Sequence, residues 1–393
     1  MRASACSTLA GTLFLLVAGT RTGMAQASYP SVKLSGRLQE QFYYFGNEDY
    51  GAQVGSTSSV FTRRARIEAR GQISENVSVY IQPSFEGGRA VSATTTCTSS
   101  PVPPGGGTPT ITCRTTGRSG LRLRDAYVDV RVGAKGGRTT WYVRGGQEKR
   151  PVSRYELLSS NNLPSIERGG GQGLLPRASN DLFTGAGFLS HDVGASLRVE
   201  HKLGAGRALT VKLGAYNGQG ESANDVNARK SFGARATLGL TPKLDVGASW
   251  FSHDGIVTAD GVADSSFSNQ AFGLDAQWGK PGEAGLFALA EYLRGEDASA
   301  SKLDMQGFQV VAAYNIRTGD RTPWLTAIEP ALRFDVADPD TEGDDDRVTT
   351  LSAVLGLYLS SHAWFRVAYE HQSFQTPAAE SIGGVRSMLA VSF

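Results

Sequence analysis

Long hydrophobic runs are missing from most of this chain. After Ala27 no stretch of about 18 apolar residues occurs, so residues 28–393 hold no membrane-spanning helix. Cysteine is scarce, with only Cys6, Cys97 and Cys113 in 393 residues. That excludes a disulfide-dense scaffold, and two thiols without nearby histidine exclude a zinc site. The five histidines, at 191, 201, 253, 362 and 371, lack metal-ligand spacing. A surplus of one charge is missing too. Lys and Arg total 39 against 37 acidic residues, so bulk charge implies no nucleic-acid partner. No Gly-x-Ser-x-Gly element supports a nucleophilic serine. Gly169-Gly170-Gly171-Gln172-Gly173 lacks the Lys-Ser/Thr of a phosphate loop, and the acidic run Asp338 to Asp346 has Thr349 where a calcium loop needs Glu. Neither an enzyme nor a cofactor is expected.

What is present begins at the N-terminus. Arg2 precedes the apolar run Leu9 to Gly19, and Ala25-Gln26-Ala27 fits a cleavage site. Residues 1–27 are therefore expected to be a signal peptide, and 28–393 one mature domain. In an oxidising compartment Cys97 and Cys113 are expected to pair, stapling a Ser/Thr/Pro/Gly-rich loop.

The mature chain alternates apolar and polar residues almost throughout. Val32, Leu34, Leu38 and Phe42 alternate with Lys33, Ser35, Arg37, Gln39 and Gln41; Ala65, Ile67 and Ala69 alternate with Arg64, Arg66, Glu68 and Arg70. Period-2 segments of about ten residues mark transmembrane strands, with one face to lipid and one to a wet lumen. The shared parity places Ala65, Ile67, Val79 and Leu197 on the lipid face and Arg64, Arg66, Arg70 and Arg198 on the lumen face. Short turns, such as Ser74-Glu75-Asn76 and Ser360-Ser361-His362, alternate with long polar stretches, such as Gly87 to Ser119, Pro151 to Asn180 and Ser252 to Ser268. About sixteen strands result, one of them following Asn180. Aromatics at strand ends (Phe42, Trp141, Trp250, Trp278, Trp364) suit membrane-interface girdles. The expected fold is all-β: a transmembrane antiparallel barrel with short periplasmic turns and long external loops. The terminal strand, with Val385, Leu389, Val391 and Phe393 on one face, resembles the C-terminal signal of outer-membrane barrels. The cell outer membrane is the expected location, with its lipid and lipopolysaccharide as surroundings.

Several ordered segments resemble the phosphate-selective porin O and P family. They include Val32 to Gln39, Phe61-Thr62-Arg63-Arg64-Ala65-Arg66-Ile67-Glu68, Arg124-Asp125-Ala126-Tyr127-Val128, Gly214 to Gly220, Ala290 to Gly295 and the terminal strand. The resemblance implies a homotrimeric sixteen-stranded porin, with loop three folded into the lumen and basic side chains guiding small anions. Arg63 and Arg64 match the family's paired arginines near the constriction. Strict alternation aims one inward, and a bulge would re-aim the other. Pairing of the arginine row with Glu68, Glu86 and Asp125 across the wall is the competing reading. Phosphate-selective members carry lysines in the constriction loop, but Pro151 to Asn180 has none. Leu157 and Asn161 stand where the lysines would. The candidate anion-guiding set is Arg63, Arg64, Arg66, Arg70, Arg198, Lys149, Arg150, Arg154 and Arg168. The expectation is passive diffusion of small anions, phosphate or other oxyanions among them; a receptor or enzyme barrel is the alternative.

Overall fold

The computed structural model describes residues 29–45, 58–86, 92–99, 111–118, 121–133, 136–170, 178–225, 227–259, 262–298, 302–319, 322, 324–376 and 380–393. The expected signal peptide lies outside these residues. In chain order the strands begin with β1 (Ser31–Phe45), β2 (Ser58–Gln72), β3 (Val77–Ser84), β4 (Ser92–Ser99), β5 (Ile111–Arg118), β6 (Arg122–Val132) and β7 (Thr139–Lys149). Two short helices follow, α1 (Arg154–Leu157) and α2 (Ser179–Gly185). Then come β8 (His191–Gly204), β9 (Arg207–Tyr216), β10 (Ser231–Gly239), β11 (Leu244–Ala259), β12 (Val262–Trp278), β13 (Gly285–Glu296) and β14 (Asp304–Arg317). The last are β15 (Ala327–Asp338), β16 (Val348–Tyr358), β17 (Ala363–Phe374) and β18 (Ile382–Ser392). All except β4 and β5 form one closed antiparallel barrel of sixteen strands, with neighbours in sequence paired. Closure leaves no sheet edge, which is what a strand needs inside a membrane, where no water is present to satisfy its backbone.

The barrel closes where the chain ends. Gly36 N–H donates to Phe393 O at 2.9 Å, and Phe393 N–H donates to Gly36 O at 3.1 Å. The Phe393 ring lies over Gly36. A Cβ there would overlap the ring and come within 2.8 Å of Arg66 O, so the glycine makes room for the terminal aromatic.

The two faces of the wall differ as the alternation requires. Leu34, Ile67, Leu274, Leu332, Leu355 and Leu389 are exposed, while Arg37, Gln39, Arg64, Glu68, Arg333, Arg366 and Arg386 are buried. Apolar outside and polar inside is the inverse of a soluble core.

Four details depart from the sequence reading. The stretch Gly87 to Ser119 is not all loop, because β4 and β5 pair as a hairpin apart from the barrel, with Cys97 directly opposite Cys113. Ser252 to Ser268 is not a loop either: β11 and β12 stay paired up to Ala259 and Val262. The strand expected after Asn180 is not formed there: residues 179–185 are helix α2, and the next strand, β8, begins at His191. Finally, Trp364 is no girdle residue. It is 4 % exposed, points to the polar side of the wall and stacks on Tyr358 at 6.4 Å between ring centroids. Trp141 and Trp278 are exposed as a girdle requires.

Candidate channel site

Strand alternation alone would aim only one of Arg63 and Arg64 inward. The β1–β2 register shifts between Gln39 and Glu40, pairing Gln39 with Arg64 and Glu40 with Thr62, so Arg63 is left as the extra residue of a bulge. Bulges re-aim side chains, and here both guanidinium groups reach one carboxylate. Arg63 grips Glu167 with Nε at 2.7 Å and Nη2 at 3.1 Å, and Arg64 Nη2 adds a contact at 3.0 Å.

Glu167 belongs to the segment between β7 and β8, of which residues 150–170 and 178–190 lie against the polar face of the wall. Tyr155, Leu163 and Ile166 are buried with Phe287, Leu289, Val311, Ala331, Val354 and Ala368. A second cluster joins Val152, Phe183, Phe188 and Leu189 to Tyr216, Phe251, Leu293 and Met305. Strands β9 and β11 to β18 therefore carry apolar residues on their inner side where this segment docks. Directional bonds fix its position. Ser153 Oγ donates to Glu291 at 2.7 Å, Ser179 N–H donates to Asp335 at 2.8 Å, and Arg154 Nε pairs with Asp275 at 2.5 Å. Ser153 sits at φ 58°, strained for a residue with a Cβ, and caps α1 by accepting from Glu156 N–H.

Between this segment and the wall of β1–β3 and β6–β9 lies a cavity of ≈ 460 Å³. Ten basic side chains line it: Arg37, Arg63, Arg64, Arg66, Arg70, Arg124, Arg144, Lys149, Arg168 and Lys212. Six acidic ones join them: Glu68, Asp125, Glu148, Glu156, Glu167 and Asp181. The register sets like charges directly opposite one another, with Lys33 facing Arg70, Arg37 facing Arg66, and Arg198 and Arg235 flanking Lys212. Such pairs are unfavourable for the sheet itself.

Most of these cations have acidic partners. Arg66 Nε bonds Glu86 at 2.7 Å, and Arg124 Nη2 reaches the same carboxylate at 2.8 Å. Arg37 pairs with Glu68. Arg144 pairs with Asp129 at 2.6 Å and Glu148 at 2.9 Å, and Lys212 joins Glu148 at 2.7 Å. Lys149 and Arg168 share Glu156 at 3.1 and 3.2 Å. Burial pushes the Glu156 carboxyl up, but Lys149 and Arg168 outweigh it and hold it at about 2. Burial likewise acts against ionised Glu167, and Arg63 and Arg64 hold its carboxyl well below the usual range. Both carboxylates lose their contribution only as pH falls through those depressed values, so both stay charged at neutral and mildly acidic pH. Arg70 differs. It is solvent-exposed and lies over the Tyr80 ring at 4.7 Å, with no salt bridge among the described residues.

Of the nine basic residues singled out in the sequence, Arg63, Arg64, Arg66, Arg70, Lys149 and Arg168 meet in the cavity wall. Three do not. Arg198 lies beyond it, over Tyr142 at 4.3 Å and beside Glu200 at 3.1 Å. Arg150 is 4 % exposed, sealed onto Asp192 at 2.8 Å and the Leu189 carbonyl at 3.3 Å. Arg154 is held by Asp275 on the far side of the segment. Sequence reasoning left Arg37, Arg124, Arg144 and Lys212 out of the set. Arg37 was legible, since it has the inward parity of β1. Arg124 was not, because a register irregularity between β3 and β6 at Ile81 to Pro83 shifts the pairing beside it.

The whole-chain fold has known counterparts. The anion-selective porin from Comamonas acidovorans is similar at 13 % identity and TM-score 0.57, covering 93 % of this chain and 100 % of that one. The outer membrane channel DcaP of Acinetobacter baumannii is similar at 14 % identity and TM-score 0.56, covering 93 % and 97 %. The trimer form of OmpT, an outer membrane protein of Vibrio cholerae, is similar at 10 % identity and TM-score 0.53, covering 93 % and 99 %. No curated protein matches the sequence. A closed sixteen-stranded barrel, apolar outside and charged inside, is a multi-pass outer-membrane channel of the porin kind; the model of the phosphate-selective porin O and P family matches residues 32–274, and the chain belongs to that family.

Proposed function

We propose that this porin passes small anions by passive diffusion with a modest preference over cations, and that residues 150–170 and 178–190 fold into the lumen as its constriction. The observation that carries the reading is the cavity lining, ten basic against six acidic side chains. An excess of positive charge in a narrow, low-dielectric passage raises the local anion concentration, within a screening length of about 8 Å at physiological salt. Lysines are absent from the constriction segment, and most arginines there already hold a carboxylate, so tight phosphate capture is not part of the reading. In planar bilayers under a salt gradient, the reversal potential is expected on the anion-selective side. Arg70→Ala is expected to lower the anion-to-cation permeability ratio more than Arg66→Ala, because Arg66 is neutralised by Glu86 whereas Arg70 is exposed. Cation selectivity in the unmodified channel would reject the guiding role.

The same reading includes a homotrimer in the outer membrane, flanked by lipid and lipopolysaccharide, and a mature chain starting at Ser28. It also includes a Cys97–Cys113 disulfide. The two residues are directly opposite in the β4–β5 register, and opposed residues of antiparallel strands bring their Cα atoms to about 4.5–5.5 Å, within disulfide reach. The bond is expected to restrict the unfolded chain by about 3 kcal/mol in the entropy model. Because the hairpin stands apart from the barrel, Cys97→Ser is expected to leave barrel assembly intact. Thiol labelling of unreduced, membrane-extracted protein checks the bond; two reactive thiols would contradict it.

A further inference from the structure

We propose that Glu167 is a tethered anion: its carboxylate fills an oxyanion site built by Arg63, Arg64 and Gln41, and a channel without that carboxylate binds inorganic phosphate there. The proposal deepens the anion-channel reading and rests on it.

The argument starts from donor geometry. Four N–H donors converge on the carboxylate: Arg63 Nε at 2.7 Å, Arg63 Nη2 at 3.1 Å, Arg64 Nη2 at 3.0 Å and Gln41 Nε2 at 2.6 Å. The Arg63 grip is bidentate, the form in which guanidinium binds carboxylate and phosphate alike. The donors are set in place before any ligand arrives. The bulge puts adjacent arginines on one side of the wall, and Arg64 Nη1 is oriented by Gln39 Oε1 at 2.8 Å. All three residues belong to the barrel wall, while the acceptor alone comes from the docked segment.

The carboxylate is not needed to hold that segment at this point. Its own backbone carbonyl accepts from Ser165 Oγ at 2.5 Å and from Arg333 Nη1 at 3.4 Å. Ile166, the preceding residue, is 1 % exposed within the apolar cluster. Truncating Glu167 therefore leaves the loop anchored and vacates a four-donor pocket. Arg63, Arg64 and Glu167 all line the cavity, so the vacated space opens onto the conduction path. Two adjacent guanidinium groups without a counter-ion repel each other, and a phosphate carrying about −1.5 to −2 charge, with its several acceptor oxygens, replaces what was removed.

The experiment compares single-channel chloride currents of the unmodified porin, Glu167→Ala and the triple variant Arg63→Ala/Arg64→Ala/Glu167→Ala, each titrated with inorganic phosphate at neutral pH. Glu167→Ala is expected to be blocked at a phosphate concentration at least about tenfold lower than the unmodified channel. The triple variant is expected to lose that gain. Equal phosphate sensitivity of Glu167→Ala and the unmodified channel would overturn the proposal, as would a gain that survives loss of both arginines. A rise in conductance without block would assign Glu167 a purely structural part and overturn it too. If Glu167→Ala does not assemble, Glu167→Gln keeps the shape without the charge; it must gain sensitivity in the same direction, and no gain rejects the proposal. The reversal potential of the unmodified channel tests the anion-channel reading separately, so the two can fail independently.

Discussion

Arginine in place of Leu274 is expected to lower barrel stability by about 2–4 kcal/mol, the range for a basic residue on the lipid face near the bilayer centre. Leu274 is 61 % exposed and projects from β12 between Phe272 and Trp278, both also exposed. Trp278 ends β12 at one interface, and four residues of strand at about 3.4 Å each carry Leu274 from it into the apolar band, so the new guanidinium would sit in hydrocarbon with no acidic partner. The same substitution at Ser78 is expected to change stability by no more than about 0.5 kcal/mol. Ser78 is on the inner parity of β3, opposite Asp129 of β6, and faces water and a carboxylate. Denaturant unfolding in lipid vesicles, followed by tryptophan fluorescence, measures both. Equal costs at the two positions would mean that the assigned faces are wrong.

That contrast also explains why the barrel was legible in the sequence. A strand that separates lipid from water must alternate, and a single residue carries the sorting: Ile67 goes out and Glu68 goes in. Arg37, Gln39 and Gln41 could be placed by counting alone. Counting fails where the count is broken. At Arg63 one extra residue turns two successive side chains to the same side. Near Arg124 the β3–β6 irregularity does the same. Trp364 has the parity of Arg366 and Glu370, which are buried on the polar face; aromatic identity suggested a girdle, whereas parity places it inside. Parity was the better guide because it follows from backbone geometry, whereas an aromatic ring packs equally well against lipid or against Tyr358.

The segment from 150 to 190 was the least legible part. It has no period, and its helices of four and seven residues are too short to show one. Its position is set by partners distant in sequence, such as Glu291 for Ser153 and Asp335 for Ser179. The absence of lysine was readable, as was the presence of Glu156 and Glu167. That these acids neutralise the very arginines expected to guide anions was not, because each pairing depends on where the loop docks. The competing reading, in which the arginine row is held by carboxylates, accounts for Arg66 through Glu86, as expected, and for Arg64 through Glu167, a partner supplied by the loop rather than the wall.

Phe188→Ala is expected to release the second anchor of that segment. Phe188 is fully buried, meets Phe251 edge-on at 6.4 Å between ring centroids, and touches Phe183 at 6.1 Å. Truncating a buried Phe costs about 3–5 kcal/mol, part as lost transfer energy and part as the cavity left behind. The barrel wall does not depend on this contact, since β7 pairs with β8 from Lys149 to Thr139 and β8 with β9 from Gly194 to Lys202 without a shift in register. The cost therefore falls on the local docking equilibrium rather than on global unfolding. Docking also relies on His253, whose ring lies 6.2 Å from that of Phe188, and on Asn269 Nδ2 donating to Ala186 O at 3.1 Å. The Asn269 bond holds the segment only while the aromatic cluster excludes water. Single-channel recordings are expected to show larger and noisier conductance than the unmodified channel, with reduced anion preference as Glu156 and Arg168 lose their fixed positions. Denaturant midpoints of the barrel are expected to change little. Unchanged conductance with a lowered midpoint would show the opposite: a segment that braces the wall and does not set the width of the path.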